Sequence, residues 1–211
     1  MKDIVIIGAG DLGREIAWLI RDINIAQGSI WNILGFVDDN ENLMGQSIDS
    51  YDILGTTEWL SGRSINAVCG IGKVETRKIV IEKLVNNKGL IYPKLIHPSV
   101  IIADDVNIGE GSIICAGNII SVNVQFGKHV YINLACTFGH DITIESYSIV
   151  APGVNMSGHV NIGECSDIGT GSAIIQGVSI TSKVIVGAGA VVIKDITEPG
   201  TYIGIPATRK K

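Results

Sequence analysis

Every sixth residue from Ile102 onward is large and apolar: Ile102, Ile108, Ile114, Ile120, Phe126, Ile132, Phe138, Ile144, Val150, Met156, Ile162, Ile168, Ile174, Ile180, Val186 and Val192. An amphipathic helix repeats its apolar stripe every 3.6 residues and a plain strand every two, so a period of six fits neither alone. Two residues before each of these stands a smaller or β-branched residue, among them Val106, Ser112, Asn118, Val124, Val130, Cys136, Ile142, Ser148, Val154, Val160, Ser166 and Ser172. An i, i+2 pair facing one side is what a short strand supplies. Each hexapeptide is therefore one short strand plus a turn. Three such units close a triangular coil, and stacked coils bury an aliphatic column. Glycine often follows the apolar residue, at Gly109, Gly127, Gly139, Gly163, Gly169 and Gly187. The expectation is a corner with positive φ at those glycines. The register fails at Glu198, and the segment from there through Gly204-Ile205-Pro206-Ala207 is expected to cap the solenoid.

This pattern resembles the hexapeptide-repeat acyltransferase superfamily. The resemblance implies a left-handed parallel β-helix and a homotrimer, and the Gly204-Ile205-Pro206-Ala207 tail is similar to that superfamily's terminal G-x-P-A signature. From the fold alone a β-helical scaffold without activity remains an alternative.

The first 92 residues read differently. Ile4-Val5-Ile6-Ile7 runs into Gly8-Ala9-Gly10-Asp11-Leu12-Gly13 and a helical stretch from Arg14 to Asp22, a strand, glycine turn and helix. Such a turn permits close approach of phosphate to free N–H groups at a helix start, although a lone GxGxxG is weak evidence. A second strand ends at Asp38-Asp39, a third at Gly70, and a helix follows from Arg77 to Val85. Ligands of open α/β sheets sit at the carboxyl ends of strands, so Gly10, Asp11, Leu12, Asp38, Asp39 and Gly70 are candidates to line one substrate site. A full dinucleotide domain needs about 150 residues. The size here fits a mononucleotide, which disfavours NAD-dependent oxidoreduction and favours a nucleotide-linked sugar. Asp38 and Asp39 can equally be ordinary turn residues. The fold class is thus a Rossmann-like α/β half domain, residues 1–92, followed by a β-helix, residues 93–211, with a boundary near Tyr92-Pro93.

Both parts are slightly acidic, which argues against nucleic acid as a partner. No apolar run approaches the roughly 20 residues that span a bilayer. The four cysteines show no C-x-x-C pairing and no secretory leader is apparent, so a reduced, cytoplasmic setting is expected, with the cysteines as small core residues. No metal is expected.

Of the four histidines only His140 has an acid beside it, in Gly139-His140-Asp141. A neutral imidazole is a suitable base for an amine or hydroxyl attacking a thioester, and a carboxylate fixes its tautomer. Adjacent strand residues point to opposite faces, so Asp141 needs a bend to reach His140. A structural histidine remains open on these grounds. Over essentially the whole chain, the glycine turn, Val37-Asp38-Asp39 and the order Asn133…His140-Asp141 are similar to the sialic-acid O-acetyltransferase and nucleotide-aminosugar N-acetyltransferase group. That resemblance implies His140 as general base, Asp141 raising its basicity and Asn133 close by. It implies acetyl-CoA as cosubstrate, with donor contacts at Gly158, Thr170 and Ala188 and at Ile149, where some relatives carry a second histidine. It implies active sites between subunits of the trimer. The leading expectation is N-acetylation of a nucleotide-linked aminosugar, with O-acetylation of a sialic acid and a non-catalytic nucleotide-sugar scaffold as alternatives. Lys183, Lys194, Arg209 and Lys210 are candidates to meet CoA phosphates, with solvated surface charge as the alternative reading that the sequence favours.

Overall fold

The computed structural model describes residues 1–210 and divides into two compact units after Pro98. The first unit contains β1 (Lys2–Ile7), α1 (Asp11–Gln27), β2 (Trp31–Val37), β3 (Ser47–Ile48), β4 (Tyr51–Gly55), β5 (Ile65–Cys69), α2 (Val74–Leu84) and β6 (Leu90–Ile91). Its sheet order is β3-β4-β2-β1-β5-β6, parallel throughout except for the β3–β4 hairpin. The run Ile4 to Ile7 is wholly buried, as a central parallel strand requires. Because β1 lies between β2 and β5, the glycine turn, Asp38 and Gly70 follow the carboxyl ends of three neighbouring strands. Helix α1 buries Ile16, Ala17, Leu19, Ile20 and Ile23 at helical spacing and stops at Gly28, whose left-handed backbone returns its N–H to Asn24 O. The β3–β4 hairpin turns through Asp49 and Ser50, both with positive φ.

The boundary falls six residues beyond the expected Tyr92-Pro93. Within the first unit, His97 Nε2 lies 3.4 Å from Asp22 Oδ2 on α1.

From Ser99 the chain forms the expected left-handed parallel β-helix. Strands stack in three faces. The first runs from Ile101–Ile102 through Ile119–Ile120, Thr137–Phe138, Asn155–Met156 and Ala173–Ile174 to Val191–Val192. The second runs from Asn107–Ile108 to Ser179–Ile180, and the third includes Ile113–Ile114, Tyr131–Ile132, Ile149–Val150, Asp167–Ile168 and Val184–Val186. Residues 18 apart pair in register, as Thr137 with Asn155 and Phe138 with Met156. The apolar column is buried from Ile114 to Val192, and Phe126 and Phe138 meet edge to face at 5.5 Å within it. The polar residues at inward positions are bonded along the prism: Asn118 donates to Cys115 O and Asn133 O and accepts from Cys136 N, and Ser112, Ser148 and Ser166 bridge coils similarly. Ser172 is the exception: its buried Oγ has no partner among the described residues, whereas buried polar groups are usually paired.

The corner expectation needs correction. Positive φ recurs every six residues at Gly111, Gly117, Asn123, His129, Ala135, Asp141, Tyr147, Gly153, His159, Cys165, Gly171, Gly177, Lys183 and Gly189, two places after the glycines chosen from the sequence. Those earlier glycines serve close approach between coils: a Cβ at Gly109 would lie 2.3 Å from Gly127 O, and one at Gly139 2.7 Å from Gly158 N. The C-terminal segment does close the end. Gly200–Ile203 pairs with Val184–Val186, Thr208–Arg209 folds back on it, and Ile196 bridges to Ile180.

Truncating the column is expected to cost more than changing the polar second face. Phe138→Ala should lower unfolding free energy by about 3–5 kcal/mol, whereas Thr143→Ala should stay within about 0.5 kcal/mol, both read from urea unfolding curves.

Candidate functional site

His140 follows the Thr137–Phe138 strand, on the corner between the first and second faces, and is exposed. Asp141 occupies the positive-φ slot of that corner, with φ 57°. This is the bend that two successive side chains need in order to meet: His140 Nδ1 lies 2.7 Å from Asp141 Oδ2. Stacking supplies the rest of the constellation. One coil below, Asn123 Nδ2 donates to Asp141 Oδ1 at 2.6 Å, and Asn123 N–H is itself held by Asp105 Oδ2. One coil above, His159 Nδ1 stands 3.7 Å from Asp141 Oδ2, its ring edge-on to His140 at 4.9 Å, and its N–H donates to His140 O.

The Asn123 amide first, and His140 second, hold the Asp141 carboxyl below its ordinary value. An ionised carboxylate only accepts hydrogen bonds, so His140 Nδ1 carries the proton and Nε2 is the ring's acceptor. Gly158 sits one coil above His140, and a Cβ there would lie 2.6 Å from His140 Cε1 and 2.7 Å from Nε2. That glycine makes the space the imidazole occupies. Sequence reading passed over Asn123 and His159, because neither is near Asp141 in the chain. The signal that finds them is the 18-residue stacking interval.

The remaining candidates lie elsewhere on the prism. Asn133 follows a third-face strand, on the corner between the third and first faces, and its side-chain oxygen accepts from Leu134 N. Within one chain it is not brought to His140, contrary to the expectation of proximity. Thr170 and Ala188 stand on that same corner, one coil apart. Among the described residues, the amide N–H groups of Gly158, Thr170 and Ala188 donate to no protein acceptor. Ile149 is different: its side chain is buried and its N–H is committed to Ser166 O, so that amide is not free for a ligand. Arg209 is held by Glu198 Oε2 at 2.6 Å and by Pro199 O. All four cysteines are buried, and burial raises the Cys69 thiol to about 11, which leaves them as core residues rather than nucleophiles.

In the first unit, Gly10, Asp11, Leu12, Asp38 and Gly70 line one cleft of about 440 Å³ together with Gly8, Ile71 and Gly72. The helix start at Gly10 has no side-chain cap, so its free N–H groups open toward this cleft's residues. The glycines divide by role. A Cβ on Gly13 would lie 2.1 Å from Gly8 O and one on Gly70 2.7 Å from Gly13 Cα, so both serve close packing, whereas Gly10 has open space in the Cβ direction. Asp38 Oδ2 accepts from Ala9 N in the glycine turn and Oδ1 from Asn40 N. Asp39 is not among that cleft's lining residues. Its two oxygens accept from Thr57 N and Thr57 Oγ1, fixing the 3-10 turn Thr57–Leu60. Asp38 and Asp39 both line a second cleft of about 270 Å³, with Gly8, Thr57 and Ile71.

Residues 3–84 match the family described as the PglD N-terminal domain. The chain is similar to a GDP-perosamine N-acetyltransferase of Escherichia coli O157:H7, 32% identical over 187 residues, which is 87% of this chain and 82% of that protein. It is also similar to the acetyltransferase domain of PglB from Neisseria gonorrhoeae FA1090 in complex with acetyl coenzyme A, with a TM-score of 0.89, 30% identity and 99% of each chain covered. PerB from Caulobacter crescentus, in complex with CoA and GDP-perosamine, gives a TM-score of 0.90 at 26% identity over 100% of this chain and 98% of that one.

The clamp on Asp141 makes a directional pH prediction. Because its folded-state pKa is depressed, the carboxylate stays ionised to lower pH than an ordinary one, and its contact with His140 is lost as pH falls through that lowered value. In Asn123→Ala the carboxyl should titrate at higher pH, followed by NMR of the Asp141 side-chain carbon. Gly158→Ala should displace the His140 ring and abolish that contact while the far-UV spectrum is retained.

Proposed function

The chain belongs to the hexapeptide-repeat sugar acyltransferases, and from that premise we propose that it transfers an acetyl group from acetyl-CoA to the amino group of a nucleotide-linked aminosugar, with His140 as general base. The observation that carries this reading is the exposed His140–Asp141 pair at 2.7 Å, whose polarity leaves Nε2 to accept a proton. The neutral amine attacks the thioester carbonyl, forming a carbon–nitrogen bond, and Nε2 takes the amine proton as positive charge develops. Collapse of the tetrahedral adduct breaks the carbon–sulfur bond, and the imidazolium returns the proton to the departing CoA thiolate. Asp141 stabilises the imidazolium between these steps without itself being protonated. Holding amine and thioester in contact supplies much of the rate.

The acceptor's nucleotide fits the cleft at Gly10, Asp11, Leu12, Asp38 and Gly70. Its phosphates meet the open helix start, and the space beside Gly10 admits close approach. About 440 Å³ is within the range of small-ligand sites. The unpaired N–H groups of Gly158, Thr170 and Ala188 suit the amide carbonyls of a pantetheine arm. N-acetylation is preferred to O-acetylation because the names of the E. coli relative and of the PerB ligand both carry an aminosugar.

A homotrimer completes this site. His140 and Gly158 stand at one edge of the first face, and Asn133, Thr170 and Ala188 at the other, so a single prism separates the base from most donor contacts. The face between them is mainly apolar: its outward residues are Ile101, Ile119, Thr137, Asn155, Ala173 and Val191, of which Ile101 and Ile119 are exposed, with Val122, Ile175 and Ile193 exposed beside the His140 corner. The outward residues of the second face are Asn107, Gln125, Thr143, Asn161 and Ser179. Packing of first faces between copies covers the apolar surface and carries one copy's His140 corner toward another's donor corner.

Thiol release from acetyl-CoA with GDP-, UDP- and dTDP-linked aminosugars and with free sialic acid tests the reaction. His140→Ala should reduce kcat by about 10²–10⁴-fold, and turnover unchanged in that variant, or confined to the hydroxyl acceptor, would sink the proposal. Ile119→Glu should convert a trimer into monomers by light scattering and lose turnover with it.

A further inference from the structure

We propose that His140, Asp141 and His159 form a transition-metal site, and that a Zn²⁺ ion bound there silences His140. One candidate ligand atom from each residue lies within 4.8 Å of the other two. Asp141 Oδ2 is 2.7 Å from His140 Nδ1 and 3.7 Å from His159 Nδ1. Ligands at about 2.0–2.1 Å around tetrahedral zinc stand about 3.3–3.4 Å apart. The two separations bracket that spacing, so modest rotations of exposed side chains close the site. Two imidazoles and one carboxylate are a donor set that zinc accepts, and three protein ligands leave a fourth position for water or a substrate atom.

The surroundings favour an ion over a chance surface cluster. Among the described residues, the charge of Asp141 is met by no lysine or arginine; its partners are Asn123, His140 and His159. Asn123 binds Oδ1 and so leaves Oδ2 as the oxygen that both imidazoles approach, a supporting contact of the kind that orients metal ligands. The backbone is fixed as well. Asp141 and His159 occupy the same corner slot one coil apart, with φ of 57° and 58°, and His159 N–H donates to His140 O at 2.9 Å.

The consequence follows from tautomerism. A neutral imidazole that coordinates zinc through Nδ1 carries its proton on Nε2, the atom that must be unprotonated to act as base. The proton moves across the ring, none need leave the protein, and the hydrogen bond to Asp141 gives way to a shared ion. The ion is thus an inhibitor, separate from the acetyl-CoA chemistry. The inhibition rests on His140 being the base, and the binding does not.

Co²⁺ titrated into the full chain should give a visible ligand-field spectrum that saturates at one ion per chain and is displaced by Zn²⁺. Zn²⁺ should stop thiol release and EDTA should restore it. His159→Ala, with His159→Gln as a second variant, should abolish the Co²⁺ band and raise the Zn²⁺ concentration for half inhibition roughly tenfold or more, on the scale of lost metal-site contacts. A wild-type titration without a band, a band that survives both variants, or inhibition that ignores them would overturn the site. A normal wild-type band that His140→Ala abolishes, together with undiminished turnover in that variant, would instead retire the base and leave the metal site standing.

Discussion

The whole of the second unit depends on one constraint, the in-register stacking of strand residues on their counterparts 18 positions along the chain, held by backbone hydrogen bonds such as Thr137 N–H to Val154 O and Gly139 N–H to Met156 O. Parallel strands of two residues have too little pairing to stand alone, so each is stable only between its neighbours above and below. The constraint turns every sequence position into a column that must be acceptable in each coil. Inward columns admit aliphatic residues, or polar ones that bridge coils as Asn118 and Ser148 do. The corner column holds positive φ, and glycine recurs in it together with Asn123, Asp141, His129 and His159, while Ala135, Tyr147, Cys165 and Lys183 show that stacking also holds other side chains there.

Chemistry at the His140 corner is assembled from that same stacking. Asp105, Asn123, Asp141 and His159 are successive members of one corner column, and His140 and Gly158 are successive members of the column beside it. None of these exposed contacts contributes much to stability, since solvent weakens exposed ion pairs. Their value is geometric. A carboxylate held on one side by an amide presents its second oxygen in a fixed direction, and that selects the tautomer of the imidazole in front of it.

Columns also explain what could be read from the chain without coordinates. The apolar sixth residues named the buried column directly, because burial leaves a residue-type signature at every repeat. The corner was misplaced by two residues because glycine has two uses: Gly139 is small so that coils can approach, whereas the strained slot two places later holds Asp141, whose side chain hides the strain from a search for glycines. The His140–Asp141 partnership was legible as adjacency, though the bend that allows it was not. Asn123 and His159 were out of sight because contact across coils pairs residues distant in sequence. Asp38 and Asp39 look alike in the chain, and only the position of Thr57 decides that one supports the glycine turn while the other caps a 3-10 turn.

Asn133 shows a different limit. Its resemblance-based role placed it beside the base, yet it stands across the first face from His140 within a single chain. Sequence likeness reports which positions serve a reaction but not whether one copy holds them all. A rigid prism makes the distinction sharp, since a face of extended hexapeptides spans on the order of 15–20 Å and cannot fold to bring its two edges together. If those positions act on one substrate, the gap must be closed by another molecule of the same shape. The apolar residues on the face between the two corners have just that use, because they carry no charge to repel a second copy and lose water contact when one arrives. Association and catalysis would then draw on the same surface, which makes the oligomer a condition of the chemistry rather than a packaging of finished sites.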